Sequence, residues 1–535
     1  MESVFLITEI QIIIVLLVAS AVAIITRYIN IPYTVALVLA GLVLAFQTNI
    51  ELEMTPDLVL FVFAPPLLFE AALHVDIRKL RADFIPILTM AIPGVLLSAF
   101  VVGGVLAFLG ILSFPVGLLF GALISATDPV AVVATFRSVG APKRLTTLVE
   151  GESLFNDGTS VVLFGIVLAL VQHGEFSLIE GIFDFFKESV GGIAVGALFG
   201  YLAAQLIARI DDYLIEITIT TLAAYASFAL GQYFHFSGVL AVVAAGLLSG
   251  ALGPRGMSPT TRIVLFNFWE YLAFLANSLV FILIGLNVDG AILQQFLVPA
   301  ILAVVAVLAS RAINVYGLGS LIRLIKPDLP QSYLHVLYWG GLRGAISLAL
   351  VLSIPFAVQE RSELLAMTFA VVLFTLLIQA TTIPTLLRRL GMTQASTTPV
   401  EYEMLQGKLL ATRAARRHLD RLYQEGALVP AAWDTVTREL EANEQALNQA
   451  TNDMLTEHPE LHEKIVYLTR KEVLRAQRSA LSDLAHEGLL SDEALAELEA
   501  EVDEAIQSPD AGLLALDVEE FVEQVEAVTA EGAKA

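Results

Sequence analysis

Apolar residues along this chain arrive in blocks of about 20, the length a helix needs to cross roughly 30 Å of hydrocarbon, with polar residues gathered in the short intervals between. Thirteen blocks predict thirteen helical spans, near residues 4–26, 32–47, 57–75, 84–110, 115–136, 146–172, 181–208, 213–233, 236–252, 263–287, 291–322, 333–355 and 363–388. Two blocks are punctuated inside. The fifth contains Ser125-Ala126-Thr127-Asp128-Pro129 and the twelfth Gly340-Gly341-Leu342-Arg343-Gly344. They stand seven spans apart, an odd offset that reverses direction, so spans 1–6 and 8–13 are expected to be inverted repeats with one interrupted helix in the matching place of each. Near residue 392 the pattern changes. A Thr393-to-Pro399 linker leads into charged, Ala/Leu/Glu-rich sequence with apolar residues at helical spacing over 404–424 and 432–456. The expected architecture is therefore an all-α polytopic membrane domain over 1–391 and an acidic, soluble helical tail over 392–535, whose last thirty residues are acidic enough for partial disorder.

Composition agrees: 57% of the 535 residues are hydrophobic and only 16% charged, with a mean hydropathy of +0.76, too apolar for a soluble chain of this length. Charge adds orientation. The alternate loops carrying Arg27, Arg78/Lys79/Arg81, Arg137/Lys143/Arg144, Arg209, Arg255/Arg262, Arg323/Lys326 and Arg388/Arg389 hold fourteen basic residues, against Lys187 and Arg361 on the other side. The positive-inside rule then puts the tail in the cytoplasm and, with an odd span count, the N-terminus outside. No basic residue precedes Arg27, so the first block is read as a span rather than a cleavable signal. Of the net charge of −23, the tail holds −17 and the membrane region −6, so the acidity says little about what crosses the bilayer. With no cysteine, thiolate metal sites, thiol nucleophiles and disulfides are excluded.

Ionisable residues inside spans are expensive and default to function. Asp157 lies 11 residues past Thr146, about 16 Å into the sixth span and close to the bilayer midplane. Ser153 stands four residues before it, and Ser153 and Asn156 are three apart, so the three share one face. A carboxylate among oxygen dipoles can hold a proton or a small hard cation. Competition between the two for one carboxylate amounts to exchange. Asp128-Pro129 reads as a helix start, with Asp128 as cap and neutraliser of the positive helix end, and Thr127 at the break as a cation ligand. Arg343 needs a buried acid, for which Glu152 is the candidate and Glu150 the alternative. Arg311 is expected to pair with an acid on a neighbouring span. Glu70 is left open between an ion-path residue, a hydrogen bond to Asn156 and a snorkelling helix-end acid. Trp269 and Trp339 read as interfacial or packing residues, and His74 and His235, near span ends, as solvated histidines.

Thr127-Asp128-Pro129, Glu150-Gly151-Glu152-Ser153-Leu154-Phe155-Asn156-Asp157 and Gly341-Leu342-Arg343-Gly344 closely resemble the electroneutral cation/proton antiporters that include bacterial NhaP proteins and animal sodium/proton exchangers, over roughly residues 5–390. The resemblance implies a homodimer of thirteen-span protomers in the cell membrane, with a dimerisation domain and a six-helix core holding crossed, interrupted fifth and twelfth helices. It implies that Asp157 alternately binds cation and proton, with Ser153, Thr127 and Glu70 around it, that Asn156 goes with one-for-one exchange, and that Glu152 and Arg343 form a structural ion pair. No cofactor is implied beyond the transported ions, sodium (or lithium or potassium) and protons. The tail matches no regulatory domain, its partner is unassigned, and nothing points to nucleic acid.

Four other readings compete. A potassium/proton antiporter would use the same ligand types. A channel would show rings or filters rather than one buried acid on broken helices. An intramembrane aspartyl protease would need Asp128 and Asp157 to share a proton, and no Gly-x-Gly-Asp motif surrounds either. A membrane sensor would use the spans only to present the tail.

Overall fold

Backbone amides and carbonyls that leave water must be paired within the chain, and among the described residues the apolar blocks do this as helices. The computed structural model describes residues 2–507, apart from residues 30, 48–51, 53, 174–177, 211, 256, 289, 328, 393–396 and 487–488. The tail's expected disorder therefore lies mostly outside the described residues. Helix occupies every one of the predicted blocks. Among the described residues seven helices, Lys143–His173 and Thr261–Leu286 included, are long and apolar enough to cross a membrane by themselves, and shorter apolar helices such as Phe114–Leu123, Val130–Val139 and Gly238–Leu252 lie between them.

Contacts divide the chain into Met1–Ala395 and Ser396–Ala535. In the first unit the two punctuated blocks are interrupted: Phe114–Leu123 gives way to non-helical chain before Val130–Val139, and Gln331–Trp339 before Ala345–Leu352. Wide π-helical turns occur at Leu58–Phe63, Ile313–Leu318 and Thr375–Ala380. The first has a visible cause. Pro65 and Pro66 supply no N–H to the turn before them, and the carbonyl of Val62 instead accepts from the Tyr225 hydroxyl at 3.2 Å.

The helix Lys143–His173, which carries Asp157, begins three residues earlier than expected and has Gly158, Asp157's neighbour, as its middle residue. Its N-terminus is tied down where Arg144 donates two hydrogen bonds, of 2.9 and 2.7 Å, to the buried Asp83. Trp269 is fully buried, its ring 4.4 Å from that of Phe69, and its indole N–H donates to Thr220 at 3.1 Å. Trp339 donates to Thr382 at 2.8 Å.

In the second unit Thr397–Gln424 and Pro430–Glu457 pack as a hairpin, followed by Pro459–His486 and Asp492–Gln507. The hairpin is held at its closed end by Tyr423 stacked on Trp433 at 4.8 Å and along its length by Arg413–Glu444 and Arg416–Glu441 pairs at 2.7 and 2.9 Å. The positive φ of Gly426, 75°, lets the turn close.

Candidate functional site

A helix that stops inside an apolar domain leaves carbonyls at one end and amides at the other without partners. Here the two breaks supply each other. Asp128 N–H donates to the carbonyl of Leu342 at 2.9 Å, and the Arg343 guanidinium donates to the carbonyls of Ser125 and Ala126 at 2.7 and 3.1 Å. Asp128 accepts from the amide of Val130 at 2.9 Å and so caps the restarting helix, one residue later than a cap directly before Pro129 would place it. Its other oxygen lies against Gly344, the residue before Ala345–Leu352. One carboxylate thus faces the amide ends of both half-helices.

The glycines of the second break permit this approach. A Cβ on Gly344 would stand 2.4 Å from Asp128 Oδ2, and one on Gly341 would stand 2.7 Å from Arg311 Nε. Gly344→Ala is accordingly expected to push Asp128 out of place, lowering both Tm and the exchange rate, the latter at least about tenfold. Wild-type values of both would show that the breaks tolerate separation.

Thr127 is fixed from three sides. Its amide donates to Asn156 Oδ1 at 3.1 Å, its hydroxyl accepts from Asn156 Nδ2 at 2.9 Å, and its carbonyl accepts a short hydrogen bond from the Ser153 hydroxyl. Because Ser153 spends its one hydrogen on the Thr127 carbonyl, both lone pairs of its own oxygen stay available to a cation. Asp157 is buried, 6% exposed, and its Oδ1 has no hydrogen-bond partner among the described residues.

Asp157, Ser153, Thr127, Asp128 and Glu70 line one cavity of about 380 Å³. Asn156, Glu152 and Arg343 are absent from its lining; they hold the walls. Two expected contacts differ. Arg343 does not form an ion pair with Glu152: Glu152 pairs instead with Arg311, whose second amino group bonds to Glu152 at 3.2 Å and to the carbonyl of Leu337 at 2.8 Å. The physical reason is the break itself, whose freed carbonyls take the Arg343 guanidinium and leave Glu152 to the arginine of the adjacent helix. Glu150, the alternative partner, lies 3.8 Å from Arg137. Glu70 makes no bond to Asn156, whose amide is committed to Thr127; its carboxylate is 3.2 Å from His74 Nδ1. His235 is exposed at a turn, with φ 56°.

The cavity also draws on Glu150, Glu270, Asn277, His74 and Ser347. Glu270 and Asn277 had a signal: they stand seven residues apart, two turns, on one face of an apolar helix, with Ala273 and Phe274 between them on the same wall.

Apolar helices, two of them broken and bonded break to break beside a buried carboxylate at the wall of an open cavity, define a polytopic membrane transporter, not an enzyme. Residues 13–389 match the family described as "Sodium/hydrogen exchanger, transmembrane", and the chain belongs to that family. It is 41% identical over 368 residues to the Na(+)/H(+) antiporter ApNhaP of Aphanothece halophytica, covering 68% of this chain and 70% of that one. It is 37% identical over 500 residues to the Na(+)/H(+) antiporter NhaG of Bacillus atrophaeus, covering 91% and 94%. Among solved structures, the sodium proton antiporter MjNhaP1 of Methanocaldococcus jannaschii at pH 8 has the same fold, with a TM-score of 0.60 at 21% identity, over 72% of this chain and 99% of that one.

Proposed function

We propose that the chain is a sodium/proton antiporter that exchanges one cation for one proton by alternating access, with the two competing for Asp157. The observation that carries this reading is the free Asp157 oxygen beside the Ser153 hydroxyl and the Thr127 oxygens in one cavity. Carboxylate, hydroxyl and carbonyl oxygens suit a small hard cation and give no purchase to organic substrates. Glu70 completes the ligand set from the facing helix. Family membership and relatives that are themselves sodium/proton antiporters support sodium; lithium and potassium offer the same ligand demands.

Charge balance supports the stoichiometry. Around the two breaks, half-buried Asp128 and buried Glu152 and Asp157 face the buried Arg311 and Arg343, leaving one negative charge for one bound sodium ion or one proton to neutralise. Neutral Asn156 adds none. In both loaded states these five side chains sum to zero charge, which lowers the barrier to moving them through the membrane each way.

The protomer crosses the bilayer thirteen times as inverted repeats, in a homodimer of the cell membrane, with the N-terminus outside and the tail cytoplasmic. The cavity is flanked by Arg137 and by the helix end preceding Arg78 and Lys79, and so opens to the cytoplasm. In proteoliposomes, sodium is expected to dissipate a pH gradient saturably, and a potential of about 100 mV to alter the rate less than twofold. Each net charge moved across that potential represents about 2.3 kcal/mol, so a strongly potential-dependent rate would contradict one-for-one exchange.

A further inference from the structure

Arg311 Nε, Arg343 Nε and Gln379 Oε1 are buried without a hydrogen-bond partner among the described residues, and all three residues line one small cavity. They are 6%, 3% and 2% exposed, so water outside the protein cannot serve these atoms. The cavity has a volume of about 10 Å³ and shares no lining residue with the ion cavity. It lies between Gly341 of the second break, Leu308 on the helix Leu297–Ala312, and Val371 and Thr375 on the last span. The remaining contacts of each arginine are made elsewhere. Arg311 spends both amino groups on Glu152 and the Leu337 carbonyl, and Arg343 donates to the carbonyls of Ser125 and Ala126. Their Nε–H groups are the donors left over, and a buried donor without an acceptor keeps its whole desolvation cost. Thr375 accepts from the Arg343 amide at 3.1 Å and donates to the Val372 carbonyl at 3.0 Å, so its hydroxyl oxygen keeps one lone pair.

We infer that this cavity is a binding site for one water molecule that bridges Arg311, Arg343 and Gln379. The volume admits one such molecule, and three or four polar partners are what a buried water takes. The donors and acceptors also match. The two lone pairs of water accept from the two Nε–H groups, one hydrogen goes to Gln379 Oε1, and the other faces the remaining lone pair of Thr375. A sodium ion is excluded, because two guanidiniums repel it and offer no ligand. A chloride ion is larger than water, and although it could accept from both Nε–H groups it would be repelled by the Gln379 oxygen. The bridge joins parts that the direct bonds leave separate. Through Arg311 it reaches Glu152 on the ion-site helix, through Arg343 the carbonyls of the first break, and through Gln379 the last span.

Crystals of the full chain grown with sodium bromide as the salt, diffracting well enough to show other buried waters, test the site directly. The expected result is one density peak about 2.7–3.2 Å from Arg311 Nε, Arg343 Nε and Gln379 Oε1, with no anomalous signal at the bromine edge. No peak there, or a peak with a bromine signal, would overturn the inference. A stability cycle then tests the bridge. Gln379→Met keeps the length of the side chain without its acceptor, and Arg343→Lys keeps the charge at the break without an Nε–H. Each should lower Tm by at least about 2 °C. The double variant should lose clearly less than the sum, because either change alone already breaks the shared bridge. Additive losses, or a wild-type Tm for Gln379→Met, would overturn the link between Gln379 and Arg343. Should a variant fail to fold, the wild-type crystals still decide.

Discussion

Asp157→Asn is expected to lower sodium-driven proton exchange by at least about two orders of magnitude while leaving the protein folded. The amide has nearly the shape of the carboxylate, so the packing of the helix Lys143–His173 against its neighbours is kept. What disappears is the negative charge and the group that takes up a proton. A bound sodium ion would then leave the buried cluster with a net positive charge, because Asp128 and Glu152 are already matched by Arg311 and Arg343. Every tenfold loss corresponds to about 1.4 kcal/mol, and an uncompensated buried charge costs several, so a hundredfold drop is a lower bound. Initial rates of sodium-dependent pH-gradient collapse, compared at equal protein content and matched Tm, measure it. Retention of more than a tenth of the wild-type rate would mean that another group carries the exchange.

The largest expected loss of stability belongs to the Glu152–Arg311 pair. Both side chains are nearly inaccessible, and their bonds join the ion-site helix to the helix Leu297–Ala312 and, through Leu337, to the second broken span. Breaking a buried pair from one side costs about 3–5 kcal/mol, because the remaining charge keeps its desolvation penalty without its partner. Glu152→Gln and Arg311→Met should therefore each lower Tm sharply, and the double variant should recover a large part of the loss. The same cycle with Arg343→Met should show no such recovery, since Arg343 is held by the carbonyls of Ser125 and Ala126. Thermal unfolding of the purified variants checks both cycles. Recovery with Arg343 instead of Arg311 would restore the pairing expected from sequence alone.

Much of the site could be read from local rules. The polar face of Ser153, Asn156 and Asp157 follows from helical spacing, and the two breaks from Asp128-Pro129 and the three glycines, because proline and glycine act on the backbone wherever they occur. The choice of Arg311 over Arg343 as the partner of Glu152 was not legible. Both arginines lie in spans distant in sequence, and only the meeting of the two breaks decides which guanidinium the freed carbonyls capture. His74 is exposed, as its position near a span end suggests, and its contact with Glu70 follows from their four-residue spacing; that its ring also meets Phe266 was not legible. Glu270 and Asn277 mark one face of their helix, yet the sequence does not say which helix that face meets. The π-helical turns at Ile313–Leu318 and Thr375–Ala380 carry no such mark as Pro65-Pro66, and we have no physical account of their origin.

The most direct test of competition at Asp157 is to count protons released when sodium binds. Purified protein in weakly buffered detergent solution is titrated with sodium chloride at a pH where the empty site is protonated, with choline chloride as the ionic-strength control and a pH indicator as the readout. The expected result is a saturable release approaching one proton per protomer, diminishing as the starting pH is raised and absent in Asp157→Asn. Sodium binding without proton release, or an equal release from Asp157→Asn, would contradict a single carboxylate shared by the two ions.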